Sequence, residues 1–187
     1  MTPSEAPMEQ MNELGFYTLA GAPESPRELI AEVQEAEELG IGAAFISERF
    51  NIKEAATLSG AVGAISERIG IATAATNHNT RHPMVTASYA MTMHQLTGGR
   101  FSLGLGRGIE LATKAFGRRP VTTAQMGDVV GFMRRVLARR AGVGHHRPAG
   151  PEPRLAQPGR EPPANPTTVN TFGPHKRARG GRCVDAG

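Results

Sequence analysis

The feature that most constrains the fold is a strand–helix unit that recurs about every 30 residues. Short apolar runs typical of strands begin near residues 14, 42, 69 and 101, and an amphipathic helical pattern follows each of them. Parallel strands need a crossover between them, and a helix usually supplies it. The alternation therefore predicts an α/β fold built on a parallel sheet.

Local signals place the boundaries of these elements. The predicted strands are residues 14–19, 43–47, 69–74 and 101–105. Helix starts are marked by capping residues or by proline, and helix ends by glycine. The start signals are Ser25 with Pro26 and Glu28, Asn51 with Glu54, Pro83, and Thr122 with Gln125, and the stop signals are Gly40 and Gly98-Gly99. For the third helix the spacing predicts a buried face of Val85, Tyr89, Met93 and Leu96.

Two architectures fit four such units. One is an open, doubly wound sheet, and the other is the (β/α)8 barrel, which usually needs roughly 250 residues. The four units fill about 125 residues, so in the second case they would form the N-terminal half of a barrel.

Composition divides the chain into three parts. Residues 1–12 are predicted to be a disordered leader and residues 13–137 a globular domain. Residues 138–187 hold 8 Pro and 8 Gly and carry a net charge of +6, whereas residues 1–137 carry −2. This last part also contains few apolar residues, and their burial cannot offset the entropy lost on ordering the chain. Residues 138–187 are therefore predicted to be a disordered tail.

Several classes of protein are excluded or disfavoured. The sequence has no uncharged apolar run of 18 residues, so no transmembrane helix is expected. The first residues lack the apolar core of a secretory signal. Cys183 is the single cysteine, so no disulfide can form within the chain, and a cytoplasmic location is expected.

In both architectures the functional site lies in the loops that follow the strands. After the second strand come Glu48 and Arg49, which could contact a ligand or form a solvated ion pair where a helix begins. Residues 74–83 follow the third strand and form a polar loop with two Asn, two His and one Arg. The loop precedes a helix N-terminus, and helix N-termini favour anions. This loop could equally be an ordinary turn. No Cys or carboxylate partner stands nearby, so no metal site is predicted.

The loop after the fourth strand is rich in glycine. Gly106, Arg107 and Gly108 would let a ligand approach the backbone, or would permit tight packing. The spacing also resembles a dinucleotide fingerprint with Asp128 as its acid. That fingerprint belongs after the first strand, however, and Asp128 falls inside a predicted helix.

Together, four stretches resemble the luciferase-like monooxygenase superfamily, most closely the oxidoreductases that use the deazaflavin coenzyme F-420. The stretches are residues 14–17, residues 47–50, Thr76 to Pro83 (TNHNTRHP) and Thr97 to Gly108 (TGGRFSLGLGRG). The resemblance runs from about residue 13 to about residue 137 and implies a (β/α)8 barrel, usually dimeric, with the cofactor ring across its C-terminal mouth.

The resemblance also implies roles for individual residues. It implies a cis peptide bond at Ala74-Ala75 beneath the ring, and Glu48 and Arg49 at the catalytic position. Many members carry His where this chain has Arg49, and an arginine cannot serve as a general base. The cofactor-binding residues implied are Ala74, Ala75, Thr76, Asn77, Gly106, Arg107 and Gly108.

The function implied is hydride transfer between coenzyme F-420 and a small organic substrate, with FMN-dependent monooxygenation as the alternative. Family members continue through four more strands, which residues 138–187 do not resemble. We hypothesise a frameshift or early end near residue 138, which the other two reading frames of the coding DNA would test.

A half barrel would expose the inner face of its sheet, so poor solubility or dimerisation through that face is expected. The competing functions are a non-catalytic truncated remnant and a nucleic-acid-binding tail. Phe172 is the one aromatic residue in the tail, so base stacking is not supported and nucleic acid is not favoured as a partner.

Overall fold

The structure, a computed structural model, describes residues 10–50, 52–137, 146–147 and 150–151. The strands are β1 (Met11–Tyr17), β2 (Ile41–Ile46), β3 (Gly70–Thr73), β4 (Thr76–Asn77), β5 (Phe101–Ser102), β6 (Leu105–Gly106), β7 (His146–Arg147) and β8 (Gly150–Pro151). The helices are α1 (Leu29–Glu38), α2 (Ala55–Ile65), α3 (Pro83–Leu96), α4 (Glu110–Ala115) and α5 (Thr123–Leu137), with 3-10 turns at Pro26–Glu28 and His78–Thr80.

The central sheet is parallel, and its strands follow one another in the order β1-β2-β3-β5. In a doubly wound sheet the order in which strands are added reverses partway, whereas in a barrel each new strand lies beside the previous one. After β3 and β5 end, the chain continues as the short strands β4 and β6, which pair with each other in parallel. The prediction of an N-terminal half barrel is confirmed.

The helices cover one face of the sheet. Phe16, Ala44, Ile71 and Phe101 lie in one row across the four strands and belong to, or pack against, the hydrophobic core. The neighbouring row, Tyr17, Phe45, Ala72 and Ser102, points the other way. Tyr17 is 45% exposed and Phe45 36% exposed, so the inner face remains open among the described residues.

Two of the predicted helix caps are confirmed and one is corrected. Ser25 and Glu28 form a reciprocal capping box, and Thr122 and Gln125 exchange the same pair of hydrogen bonds. The cap of α2 is Glu54 alone, whose carboxylate accepts from the N–H groups of Ala56 and Thr57. Asn51 lies outside the described residues.

The first strand begins earlier than predicted. Met11 pairs with Ile41 and donates its N–H to the carbonyl of Gly40 at 2.7 Å, so residues 11 and 12 belong to β1 rather than to a leader. Strand pairing satisfies backbone groups whatever the side chains are, and a hydrophobicity pattern misses this extension. Residues 1–9 lie outside the described residues.

The predicted buried face of α3 is wrong at two positions, because Val85 is 55% exposed and Leu96 52% exposed. The buried residues are Thr86, Ala87, Ala90 and Met93. At Gly63 an added Cβ would lie 3.1 Å from the Met93 side chain, so α2 and α3 approach closely there. Small residues allow helices to approach in this way, and hydrophobicity alone does not identify them.

The N-terminal end of the sheet is fastened by two charged side chains. The guanidinium of Arg100 donates to the carbonyls of Ser66, Ile69 and Thr97, which ties three segments together. The carboxylate of Glu37 accepts from the N–H groups of residues 67–69. Partial burial raises the pKa of Glu37, but these backbone N–H groups outweigh it, so the pKa lies below its usual value.

Little of the predicted tail is described. β7 and β8 form a short antiparallel pair that the sequence analysis did not anticipate. The other residues of 138–187 lie outside the described part, so the predictions of a disordered tail and of a frameshift stay predictions. Within the described residues, no helix is both long and apolar enough to cross a membrane.

Candidate functional site

The site forms where β3 ends and the chain breaks its regular pairing. The peptide bond between Ala74 and Ala75 is cis, as the family resemblance implied. Ala74 donates its N–H to Ile46 at 2.7 Å, Ala75 accepts from the N–H of Glu48 at 3.2 Å, and Thr76 donates to Gly104 at 2.9 Å. The irregular segment is therefore held by the strands on both sides of it.

Glycine is required opposite this break. A Cβ on Gly104 would lie 1.8 Å from the carbonyl oxygen of Thr73, closer than any two such atoms can approach. The N–H of Gly104 also donates a hydrogen bond to Thr73 Oγ1 at 2.7 Å. The fourth-strand loop can therefore approach the β3 end only because residue 104 has no side chain.

The carboxylate of Glu48 is fixed by the third-strand loop. Its Oε2 accepts from the hydroxyl of Thr76 and from the N–H of Asn77 at 3.1 Å. The guanidinium of Arg81 lies 3.3 Å from the same oxygen and 3.4 Å from Oε1. The side chains of Glu48 and Arg81 are only 14% and 16% exposed, so this ion pair is partly shielded from water.

Arg81 makes further contacts that link two loops. It donates to Thr76 Oγ1 at 2.7 Å and forms a salt bridge with Glu54, the cap of α2. We call Glu48, Glu54, Thr76 and Arg81 the Arg81 cluster. It joins the ends of β2 and β3 to the start of α2.

Asn77 and two glycines form a shelf of small residues beside this cluster. Asn77 pairs with Gly106 across β4 and β6. A Cβ on Gly106 would lie 3.2 Å from the Ala75 methyl, and one on Gly108 would lie 3.3 Å from Asn77 Oδ1. Gly108 has a φ of +76°, which other residues rarely adopt.

Arg49 points away from this shelf. Its guanidinium donates to the carbonyl of Gly21 at 2.5 Å, in the loop after β1. Arg49 also pairs through its backbone with Lys53. The structure thus places Arg49 at the mouth of the sheet but turns its side chain toward the first loop.

Lys53 is a charged residue of the mouth that sequence reasoning missed. It is 4% exposed, donates to the carbonyls of Thr18 at 2.6 Å and Leu19 at 3.2 Å, and lies 4.3 Å above the ring of Tyr17. Burial lowers the pKa of Lys53, the charge of Arg49 lowers it further, and Glu32 opposes the shift. The hydrophobic periodicity of the sequence does not reveal that a lysine will be buried against backbone carbonyl groups.

The segment after β6 lies across the mouth. The rings of Phe50 and Phe116 are 4.4 Å apart, which joins the second-strand loop to the end of α4. Beyond it, Arg118 donates to the carbonyl of Asn79 in the third-strand loop. Both rings are largely exposed, at 69% and 54%. Neither α4 nor this aromatic pair was predicted.

The two histidines of the third-strand loop contact the backbone. His78 is buried with Nδ1 3.3 Å from the carbonyl oxygen of Gly106, and His82 Nδ1 accepts from the N–H of Met84 at the start of α3. In the part of the chain that the structure describes, no three His, Cys, Asp or Glu side chains form a group that could hold a metal ion.

The structure brings most of the expected site residues together. Glu48 bonds the backbone of Asn77, Asn77 pairs with Gly106, and Gly106 leads directly into Arg107 and Gly108. Glu48, Asn77 and Arg107 therefore belong to one continuous edge of the sheet. A Rossmann-type site is excluded, because the sheet order is sequential and Asp128 lies within α5.

The fold and this edge define a class of protein. Four sequential βα units with a cis peptide at the third strand are the first half of a (β/α)8 barrel whose C-terminal mouth carries the site. The profile of the family described as luciferase-like monooxygenase matches residues 8–186. The chain belongs to this family.

Individual relatives agree with the assignment. A Mycobacterium tuberculosis (strain ATCC 25618 / H37Rv) protein, provisionally named a coenzyme F-420-dependent oxidoreductase, is 31% identical over 153 residues, which are 81% of this chain and 42% of that protein. A solved F-420-dependent secondary alcohol dehydrogenase, in complex with an F-420–acetone adduct, superposes with a TM-score of 0.69 at 16% identity, covering 83% of this chain and 50% of that one.

A third relative uses a different cofactor. The oxygenating constituent of the 3,6-diketocamphane monooxygenase of Pseudomonas putida, solved with FMN, superposes with a TM-score of 0.64 at 21% identity, covering 83% of this chain and 49% of that one. The chain thus spans about half the length of the relatives it matches. At these identities the solved structures show the fold alone.

Proposed function

We propose that this chain is the cofactor-binding half of an oxidoreductase that transfers a hydride between the deazaflavin coenzyme F-420 and a small organic substrate. The observation that carries the proposal is the shelf at the mouth, where Ala74, Ala75, Gly106 and Gly108 present little more than backbone beside Asn77. Membership of the luciferase-like family and the likeness to a provisionally named F-420-dependent oxidoreductase support it. Assembly as a homodimer belongs to the same proposal.

The residues of the shelf fit a flat ring. At Gly106 and Gly108 an added Cβ would press on Ala75 and Asn77, so the lack of side chains lets this loop lie close against the cis segment. A planar group would then meet mainly backbone and small side chains at this edge. Thr76 is buried and holds the segment, and Asn77 supplies an amide at its edge. Arg107 is exposed between the glycines and supplies a positive charge.

When bound, the deazaflavin supplies the hydride chemistry, and the chain's own residues orient the reactants. Ala74, Ala75, Thr76 and Asn77 would hold the cofactor from the third-strand segment. Gly106, Arg107 and Gly108 would hold it from the fourth-strand loop.

Glu48 and Arg49 are the residues we assign to the reacting side. Oε2 of Glu48 accepts from Thr76, Asn77 and Arg81, whereas Oε1 has only the longer Arg81 contact of 3.4 Å among the described residues. Oε1 is therefore the oxygen that would exchange a proton with a substrate hydroxyl. Arg49 acts by its positive charge and by holding the carbonyl of Gly21.

The direct test is an F-420 assay on the full chain. Oxidised F-420 is mixed with a panel of small secondary alcohols, and its absorbance is followed. We expect loss of the oxidised absorbance with at least one alcohol, and a drop of about 100-fold in Glu48→Gln, the range that general acid–base residues contribute.

The same panel distinguishes the alternatives. Turnover with reduced FMN and oxygen, but not with F-420, would favour the monooxygenase that the diketocamphane relative exemplifies. Saturable binding without turnover of either cofactor would favour a non-catalytic remnant. Salt-sensitive DNA binding alone, compared at two ionic strengths, would favour a role for the basic tail.

A further inference from the structure

Within the proposed site, we propose that Arg81 is the positioning residue that fixes the cofactor-supporting segment. The inference rests on the proposed function for its purpose, but on the Arg81 cluster for its geometry. Arg81 itself is not among the residues expected to touch cofactor or substrate.

Arg81 closes its own loop. It follows the 3-10 turn at His78–Thr80 and reaches back five residues to Thr76 Oγ1 at 2.7 Å. The side chain of Arg81 thereby closes the loop from Thr76 to Arg81. Thr80 adds a second internal bond, because its hydroxyl donates to the carbonyl of Asn77.

Arg81 also makes the position of Glu48 possible. Glu48, which is 14% exposed, and Glu54, which is 45% exposed, both face the same guanidinium. Without it the partly shielded carboxylate of Glu48 would lose its positive partner. With Arg81 in place, Glu48 Oε2 can receive the hydroxyl of Thr76 and the N–H of Asn77.

The geometry around residue 81 requires an arginine. One terminal nitrogen of Arg81 donates to Thr76, while the other lies against both Glu48 and Glu54. A lysine ammonium is a single point charge and lacks the planar fork that serves several acceptors in fixed directions. Charge alone would therefore not reproduce the cluster.

The test measures amide hydrogen exchange by NMR in the full chain without cofactor. The variants are Arg81→Met and Arg81→Lys. Arg68→Met is the matched control, since Arg68 donates to the Glu37 carbonyl near the opposite end of β3. Titration of F-420 and FMN is then followed for each variant.

In Arg81→Met the Asn77 amide should exchange about tenfold faster, roughly the effect of weakening one hydrogen bond to a charged acceptor, while the amides of β2 and β3 keep their protection. Affinity for the bound cofactor should fall about tenfold. Arg81→Lys should retain the fold but not the Asn77 protection, and Arg68→Met should leave both readouts unchanged.

Unchanged exchange at Asn77 in a folded Arg81→Met protein would overturn the inference. If Arg81→Met does not fold, the comparison is made with Arg81→Lys, and full protection of Asn77 there would overturn it equally. If the unaltered protein binds neither F-420 nor FMN, the proposed function fails, while exchange at Asn77 still decides the role of Arg81.

Discussion

At the scale of single residues, the mouth depends on positions where one atom more would not fit. Gly104 meets the backbone carbonyl of Thr73, so neither partner can move aside without displacing a strand. At Gly106 the nearest neighbour is the Ala75 methyl, at 3.2 Å from an added Cβ, so a small shift could accommodate a side chain. The two glycines of one motif therefore differ in kind: the first is needed for the fold and the second for access to the shelf.

This difference gives a prediction for Gly104→Ala. The added methyl should lower the free energy of unfolding by about 3 kcal/mol or more, the upper range for overpacking. Chemical denaturation with circular dichroism measures it. Gly60→Ala in α2 is the control, since nothing lies within 4 Å of an added Cβ there. The control should stabilise by about 0.5–1 kcal/mol, and equal effects of the two substitutions would contradict the account.

Glu37 gives a prediction in pH. Its pKa is lowered in the folded protein, so its contribution to stability is complete above the unfolded pKa, near 4.3, and disappears as pH falls through the folded value. Glu37→Gln should therefore be less stable than the unaltered protein by about 1 kcal/mol at pH 7. The gap should close below about pH 4. A gap that stays constant between pH 7 and pH 3 in thermal unfolding would show that the charge is not involved.

At the scale of secondary structure, the sequence motif that spans residues 97–108 serves two ends of the sheet. Its first part, Thr97 to Arg100, ends α3 and fastens the start of β3. Its last part, Gly104 to Gly108, shapes the mouth. One continuous motif thus combines a structural role with a functional one, and strand β5 separates them.

Arg100→Lys tests the structural half of the motif. The guanidinium of Arg100 serves three carbonyls and the hydroxyl of Ser66, and an ammonium cannot reach all of them. We expect a loss of about 2–3 kcal/mol in unfolding free energy, with the cofactor affinity of the folded fraction unchanged. A loss of affinity greater than the loss of folded protein would place Arg100 in the site instead.

Some elements could be predicted from sequence because their causes are local. The capping boxes at Ser25 and Thr122 and the stop at Gly98-Gly99 need only neighbouring residues, and the structure has them where expected. The face of α3 could not be predicted in this way, because it depends on contacts with other elements, such as that of Met93 with Gly63 on α2. The same holds for Lys53 and for the Arg81 cluster, whose contacts join residues about 30 positions apart.

The order of strands and the location of the mouth were predictable for a different reason. A parallel sheet brings all strand ends to one edge, so polar loops after strands must meet there whatever their details. The cis bond and the assignments near it came from family resemblance rather than from physical reasoning. Position along the fold was therefore inferable, while the direction in which Arg49 points was not.

At the scale of the whole molecule, the described residues leave the inner face of the sheet open. Tyr17 and Phe45 lie on this face beside the small side chains of Ala43, Ala72 and Ser102. Among the strands of the described ranges, β1 also lies at one edge of the sheet, where backbone groups have no strand partner. Exposed apolar surface of this kind favours association.

We therefore expect the isolated chain to self-associate, or to bind a dye that reports exposed apolar surface. Sedimentation velocity and dye fluorescence measure the two properties. Phe45→Ser should reduce both self-association and dye binding. Val85→Ser should change neither, because Val85 is an exposed residue of α3, on the side of the sheet that the helices cover. A monomer that unfolds in one cooperative transition and binds no dye would contradict the expectation.

The central claim is that the shelf beside Asn77 receives a flat redox cofactor, and an equilibrium titration tests it most directly. F-420 and FMN are added separately to the unaltered chain and to Gly106→Leu, with Gly60→Ala as the control, and cofactor fluorescence is followed. The account predicts saturable binding of at least one cofactor, equal in the control and weaker by about tenfold or more in Gly106→Leu, whose side chain would occupy the shelf. Absence of saturable binding to the folded, unaltered chain, or equal affinity in Gly106→Leu, would contradict it.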